Sequence, residues 1–461
     1  MEIKKPVFIL LGGVFLALFS FNIFAETNIK ASGDLTTQSI IRNLSLGNKY
    51  LNFGFSTKDL ESFILMQTRL KFDAELNEDI SATLRFINER FWGAEEPEES
   101  LPNNSNIYLD LAYMEISGIF NDAWTITIGR QNLRFGRGFI IGDPDTDRRA
   151  PSNISLYNLA DHLSLRKSFD ALKTRLDYSP LVIDLIYAKI QEDLVNMKDD
   201  VTLSGANLGY SLNEDCLIEG YFWVKQKDNR GPNANTIMLL KQNADTRIFT
   251  AGLRSEGKLA QNLFLYAEGA YQFGDYLGAL AGPSQKIRAF AVQLGGKYRF
   301  DDTYSSKIGL EYSYSSTNDG DTTDRFETWD PMFEDQRVGE IAQIFWSRGL
   351  QYWKLSASIL PRQDLTCGLD FYYIRLTDSW LKGTGSVDAF YGNGLPITNN
   401  VYWLNYNKKE LGLEIDPYLV YDYTENVQLG LACGFFIPGS MWNNNNKNTA
   451  YSTRAYAKIM F

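Results

Sequence analysis

FILMQTRLKFDAEL, residues 63–76, puts Ile64, Met66, Leu70, Phe72, Ala74 and Leu76 at even positions and Gln67, Arg69, Lys71, Asp73 and Glu75 at odd ones. An extended chain points successive side chains to opposite faces, so a period of two with one apolar and one charged side reads as a β-strand. KIRAFAVQLGGKYRF repeats the pattern, setting Phe290, Val292, Leu294, Tyr298 and Phe300 against Gln293, Lys297 and Arg299. ELGLEIDPYLVYDY sets Leu411, Leu413, Ile415, Leu419 and Tyr421 against Glu410, Glu414 and Asp416. AYSTRAYAKIMF ends the chain in the same way, on Phe461.

A soluble sandwich also alternates, so the connections have to decide. Tight polar turns appear at residues 76–79, 120–123, 178–181, 212–215, 259–262, 300–303, 361–364 and 423–426. Most carry Asn or Asp, whose side chains bond the turn backbone. Nine longer polar segments alternate with them, among them GAEEPEESLPNNSN and STNDGDTTDRFETWDPMFEDQR. Eight turns and nine loops connect eighteen strands. The sequence therefore predicts an all-β, transmembrane, antiparallel up-and-down barrel of eighteen strands, or sixteen if one hairpin is miscounted. Short connections lie at the periplasmic end of such a barrel and long ones outside.

The rest of the chain agrees with an outer-membrane setting. Residues 1–25 run from Lys4 and Lys5 through VFILLGGVFLALF to Ala25, the pattern of a secretory signal peptide, with an uncleaved anchor as the alternative. Residues 26–461 then form a single barrel domain. The whole chain's 36 glycines, 26 tyrosines and 29 phenylalanines suit strands. A net charge of -11 excludes nucleic acid as a partner, since phosphate binding needs exposed clusters of Lys and Arg. The terminal Phe461 after an alternating strand resembles the signal read by the barrel assembly machinery, the first expected partner, with outer-membrane lipid the second.

Catalysis and metal binding find little support. The single histidine, His162, has only Ser164 at a suitable spacing, so the chain is not read as an enzyme. Asp143, Asp145 and Asp147 have calcium-like spacing without the closing Glu of the loop motif, and three scattered cysteines make no zinc site. No cofactor and no metal is expected.

Four patches resemble the alginate-export type of outer-membrane channel. IGRQNLRFGRGFIIGD (128–143) is similar to the family's Gly-Arg-Gln strand and glycine turn. KSFDALKTRLDY (167–178) is similar to its Phe-Asp-Gly strand, with Ala171 in place of the glycine. ELGLEID (410–416) resembles the Gly-x-Glu-x-Asp strand, and LACGFFIPGSMW (431–442) the Phe-x-Pro-Gly segment. The resemblance implies an eighteen-stranded barrel whose basic constriction passes an acidic polysaccharide, with periplasmic synthesis or export proteins as further partners.

Charge placement tests that implication. Trp124, Ile126 and Ile128 are apolar at even positions, which would carry Arg130 to the lipid side, whereas Leu133 and Phe135 are odd. A bulge near Gly129 would keep both apolar sets in lipid and turn Arg130 and Arg134 into the lumen. The following strand offers Lys173 and Arg175 to the same face. Arg130, Arg134, Lys173 and Arg175 are thus the expected cationic cluster for anionic polysaccharide or small anions, with Glu414, Asp416, Asp370 and Glu268 facing the lumen as counter-charges. A structural cluster in a general or nutrient-specific porin, or in a barrel sheathing an electron-transfer partner, is the competing reading.

Parity also places Cys367 and Cys433 on the apolar faces of strands separated by one other. Two strand spacings of about 4.8 Å exceed the reach of a disulfide. Mass spectrometry of the alkylated, unreduced protein should find both thiols free, and a 367–433 linkage would show the strand assignment to be wrong.

Overall fold

The computed structural model describes residues 28–46, 60–93, 107–144, 163–191, 200–227, 246–276, 285–318, 322, 324–344, 349–378, 408–445 and 447–461. The signal-like segment 1–25, the acidic stretch Glu95 to Glu99, His162, Asp145 and Asp147 lie outside these residues.

Among the described residues, nineteen strands form one sheet. They are β1 (Asn28–Asn43), β2 (Glu61–Glu75), β3 (Ile80–Phe91), β4 (Tyr108–Ser117), β5 (Trp124–Asn132), β6 (Ser168–Tyr178), β7 (Leu181–Gln191), β8 (Val201–Asn213), β9 (Cys216–Lys227), β10 (Thr246–Ala260), β11 (Leu263–Tyr276), β12 (Gln285–Arg299), β13 (Lys307–Ser315), the two-residue β14 (Arg325–Phe326), β15 (Leu350–Arg362), β16 (Leu365–Leu376), β17 (Glu410–Thr424), β18 (Val427–Pro438) and β19 (Ala450–Met460). All but β14 run antiparallel to both neighbours, with β13 pairing to β15 and β1 pairing to both β2 and β19, so eighteen strands close a barrel. β14 alone is parallel, beside the loop end of β12. The strand count is the expected one, and the eight short connections fall on the eight turns read from the sequence.

Alternation sets which side faces in. Gln67, Thr250, Gln272 and Gln293 are buried on the inner wall, whereas Leu253 and Leu310 are 68% and 66% exposed on the outer one. An apolar band of that extent is unstable against water and fits a hydrocarbon surrounding. Inner tyrosines lie flat over the glycine directly opposite on the next strand: Tyr221 on Gly252, Tyr266 on Gly295, Tyr418 on Gly368 and Tyr456 on Gly430. A Cβ at any of these glycines would come within 2.1–2.3 Å of the ring, so the missing side chain is the ring's seat.

Two details of face assignment differ from the sequence reading. In β5 no bulge occurs, because the pairing with β4 and β6 is continuous through Gly129. Gly129 instead has φ +123°, and a Cβ there would meet the Ala112 carbonyl oxygen at 2.2 Å; the glycine permits close strand approach. In β17 a register shift opposite Ile374 and Arg375 turns Leu411 inward, where it is fully buried, and takes Glu410 off the inner face.

Phe461 extends the β1–β19 seam by one further pair. Phe461 donates its N–H to Gly33 O at 3.0 Å and accepts the Gly33 N–H at 2.8 Å, with its ring against the Gly33 position. Phe461→Asp should therefore reduce the folded, fast-migrating form on unheated gels. Mobility and yield matching the parent would contradict the role of this contact.

Candidate lumenal site

Among the described residues, two long loop segments fold back inside the barrel and pack on each other. The first, residues 133–144, continues β5 and contains most of IGRQNLRFGRGFIIGD; the second, residues 327–344, lies between β14 and β15 and ends in a 3-10 turn, Ala342–Ile344. They pair with each other. Gly142 N–H and Asp143 N–H donate to Phe333 O at 2.7 and 2.9 Å, Phe333 N–H to Ile140 O at 3.0 Å, and Asp335 N–H to Gly138 O at 2.7 Å. Leu133, Phe135, Ile140, Ile141, Trp329 and Phe333 then pack against Phe169, Ile186, Leu203 and Trp223 of the inner wall. An apolar plug inside a polar lumen results, since buried apolar surface stabilises the segments where neither forms regular structure of its own.

Charged wall groups hold the plug. Asp335 takes hydrogen bonds from Arg134 and Lys167. Lys225 donates to Asp330 at 2.9 Å, and Gln272 bonds both the N–H and the carbonyl of Asp330 at 2.9 and 2.7 Å. Glu414, fully buried, accepts the N–H groups of Ile341 and Ala342 at 2.6 and 2.7 Å, and Asp416 accepts that of Glu340 at 3.0 Å. Arg454 bonds Glu340 at 2.9 and 3.1 Å. Burial alone would raise the Asp335 carboxyl, but Lys167 and Arg134 outweigh it and hold it below its ordinary value. Glu340 is lowered against its own burial by Arg454 and Arg337. A carboxylate with a lowered folded pKa stabilises the fold above the unfolded value and loses that contribution as pH falls through the folded one. The plug's ion pairs are accordingly complete at neutral pH and through the ordinary carboxylate range.

The expected cluster of four cations is not assembled. Arg130 lies on the outer face with Ile126 and Ile128, because β5 lacks the bulge, and it pairs with Asp170 at 3.0 Å. Arg134 is inside but occupied by Asp335 and the Arg137 carbonyl. Lys173 and Arg175 do face inward, where they share Asp184 at 3.5 and 3.9 Å. Glu414 and Asp416 are inside as parity required, spent on the backbone of the second segment. Glu268 and Asp370 also face inward, the first bonded by Tyr221 and the second by Lys354.

A different group of cations does converge. Arg137, from the glycine-rich segment, lays its guanidinium 3.8 Å over the Tyr266 ring and 3.7 Å from Glu311. With Lys297 of β12, Lys307 of β13 and Lys354 of β15 it lines a cavity of about 200 Å³ that also takes in Asp370 and Tyr418. A second cavity of about 330 Å³ shares Lys354, Asp370 and Tyr418 and adds Arg337, Arg454 and Tyr456. Lys297 is set against the like charges of Arg137 and Lys354. Among the described residues neither Lys297 nor Lys307 has a carboxylate within ion-pair distance. Lys297 was legible by parity in the sequence; Arg137 and Arg337 were not, since both sit on segments whose inward fold is decided by tertiary packing.

A profile of alginate export proteins matches residues 47–456, nearly the whole barrel. The chain belongs to the alginate export family. Among solved structures it resembles Acinetobacter baumannii OccAB1, with a TM-score of 0.56 at 10% identity over 96% of this chain and 98% of that one. Pseudomonas aeruginosa OpdL gives a TM-score of 0.55 at 11% identity over 94% and 99%. Pseudomonas aeruginosa OccK11 gives 0.52 at 10% over 94% and 96%. At these identities the likeness is one of fold. No curated protein sequence matches the chain. The alginate export assignment and the porin-like fold therefore rest on separate grounds and agree on the barrel.

Asp335→Asn should loosen the plug by the loss of two charge-assisted hydrogen bonds, each worth about 1.5–3 kcal/mol. Hydrogen exchange should then report the amides of Gly142, Phe333 and the substituted residue itself opening roughly tenfold or more faster, with amides in the middle of β10 and β11 unchanged. Equal protection in parent and variant would show that apolar packing alone holds the segments.

Proposed function

We propose that this member of the alginate export family is an outer-membrane channel of Gram-negative bacteria, passing an anionic substrate along the cations that line its lumen, with an acidic polysaccharide of the alginate type as that substrate. The short turns then face the periplasm and the loops the exterior. The outer apolar band meets lipid. Arg130, near the loop end of β5 and paired with Asp170, falls where an outward cation costs only about 0–1 kcal/mol.

The observation that carries the reading is Lys297 facing Arg137 and Lys354 across one cavity. Like charges held together in a narrow, poorly hydrated space repel, and a mobile anion relieves that repulsion while it passes. The partial counter-charge from Glu311 and Asp370 keeps each stop weak, which a conducting path needs in order to release what it binds. Arg137 presents a planar fork suited to a carboxylate, and the lysines follow a moving charge on flexible stems. Barrel and plug serve here as scaffold and selector, and no chemical step is assigned to any side chain. The size of the two cavities favours a second reading, passage of small anions such as single uronate units, with the plug left in place.

Lys297→Gln with Lys354→Gln should move the reversal potential in a salt gradient toward cation preference and weaken block by polyuronate, most at low salt, where screening is least. Arg130→Gln, an outer-face change, should leave both measurements as in the parent. Unchanged selectivity and block in the double variant would refute the lumenal-cation reading. Block by monouronate equal to that by polyuronate, per carboxylate, would favour small anions.

A further inference from the structure

Charge also gathers on the outer face, at the loop end of β9 to β12 and β14, where the channel does not use it. Outward side chains there form a row of direct cross-strand neighbours: Gln226 opposite Arg247, Arg247 opposite Asp275, Asp275 opposite Lys286, and Lys286 opposite Arg325. Arg288 occupies the next outward position of β12, opposite Phe273. The facing assignment follows from the alternation, since Ile248, Ile287, Ala289 and Phe326 between these positions are buried on the inner side.

The row is unbalanced. Among the described residues its four cations, Arg247, Lys286, Arg288 and Arg325, meet one carboxylate, Asp275, which is paired with Lys286; Asp324, just outside β14, still leaves the described patch net positive. Arg247 donates only to Gln226 Oε1, at 3.2 Å, among the described contacts. Lys286 is 69% exposed. Elsewhere on the same outer rim Arg130 pairs with Asp170 and Lys189 with Asp200.

Immediately toward the barrel's middle the outer face turns aromatic. Phe222, Phe249 and Phe273 stack across β9, β10 and β11 with ring centroids 5.3–6.3 Å apart, and Phe290 stacks on Tyr314 at 5.2 Å. Cations above an apolar shelf match an amphiphile whose anionic head sits at the membrane surface and whose chains run along the wall. Guanidinium forks favour phosphate over a weaker acceptor.

We propose that this patch binds a phosphorylated glycolipid of the outer leaflet, its phosphates on Arg247, Lys286, Arg288 and Arg325 and its acyl chains against Phe222, Phe249 and Phe273. The proposal rests on the reading of the loop end as the exterior end of an outer-membrane barrel, and it is independent of what the lumen passes.

The test uses the full chain in detergent and native mass spectrometry, titrating bisphosphorylated lipid A against the same lipid with its phosphates removed. The bisphosphorylated lipid should be retained at roughly tenfold or lower concentration, with the advantage shrinking as salt rises. Arg247→Gln with Arg288→Gln should abolish most of that advantage, while Lys189→Gln, elsewhere on the rim, should keep it. Equal retention of the two lipids by the parent overturns the proposal without recourse to any variant, as does a double variant that folds, by heat-modifiable mobility, and still discriminates. Complete displacement of the lipid by millimolar inorganic phosphate also overturns it, showing a site for free anion. Lys297→Gln with Lys354→Gln should leave lipid retention unchanged, so failure of the lumenal reading is told apart from failure of this one.

Discussion

The structure depends on the need of every backbone N–H and C=O in a wall with an apolar outer face to find a partner within the wall. Each unpaired group in such surroundings costs several kcal/mol, so an open sheet edge is excluded and the only stable sheet is one that closes. Closure here is the pairing of β1 with β19, ten register pairs from Asp34 and Met460 to Asn43 and Tyr451. Once the ring is closed, alternation has a fixed meaning: one parity of each strand is committed to the apolar outer face and the other to the lumen. The local exceptions, such as Leu411 turned inward by a shifted register, are found near the loop end, where the demand on the outer face is weaker.

The same accounting governs the interior. A loop segment that enters the lumen brings its own backbone groups away from bulk water, and they have to be satisfied there. The two segments do this by pairing with each other and by taking carboxylates and amides from the wall: Glu414 and Asp416 for the amides at 340–342, Gln272 for Asp330. Much of the inner-wall charge is therefore structural. The cations left over, Lys297 and Lys307 first among them, line one lumenal cavity. A lumen lined with charge is thus no guide to function until the charges spent on the plug have been subtracted.

Comparison with known proteins bears on different parts of this picture. The family match extends from residue 47 to residue 456, and the structural likeness to the Occ and Opd barrels supports the eighteen-stranded wall at identities where substrate cannot be carried over. The glycine-rich stretch 128–143 gains a clear role: it is half strand and half plug, and its three arginines part company. Arg130 goes to the outer rim, Arg134 anchors the plug through Asp335, and Arg137 faces the lumenal cavity.

The sequence alone determined the wall. Alternation in segments such as 63–76 and 286–300, with eight turns most of which carry Asn or Asp, pointed to eighteen strands, or sixteen if one hairpin were miscounted, and to the sides of the residues in those segments, because in a two-sided wall the partition between apolar and aqueous surroundings acts on each residue locally. It also placed Glu414, Asp416, Lys173 and Arg175 inside. Only the tertiary structure decided what those groups do and which cations remain available. Arg137 and Arg337 lie on segments with no period, whose inward fold depends on apolar contacts between residues nearly two hundred positions apart, such as Ile141 and Phe333. Arg130 missed its expected face because Gly129 could satisfy the strand by close approach to Ala112 without a bulge, a choice made by the neighbouring strand. Local pattern reads the partition of single residues; partners far apart in the chain are set by the closed geometry that brings them together.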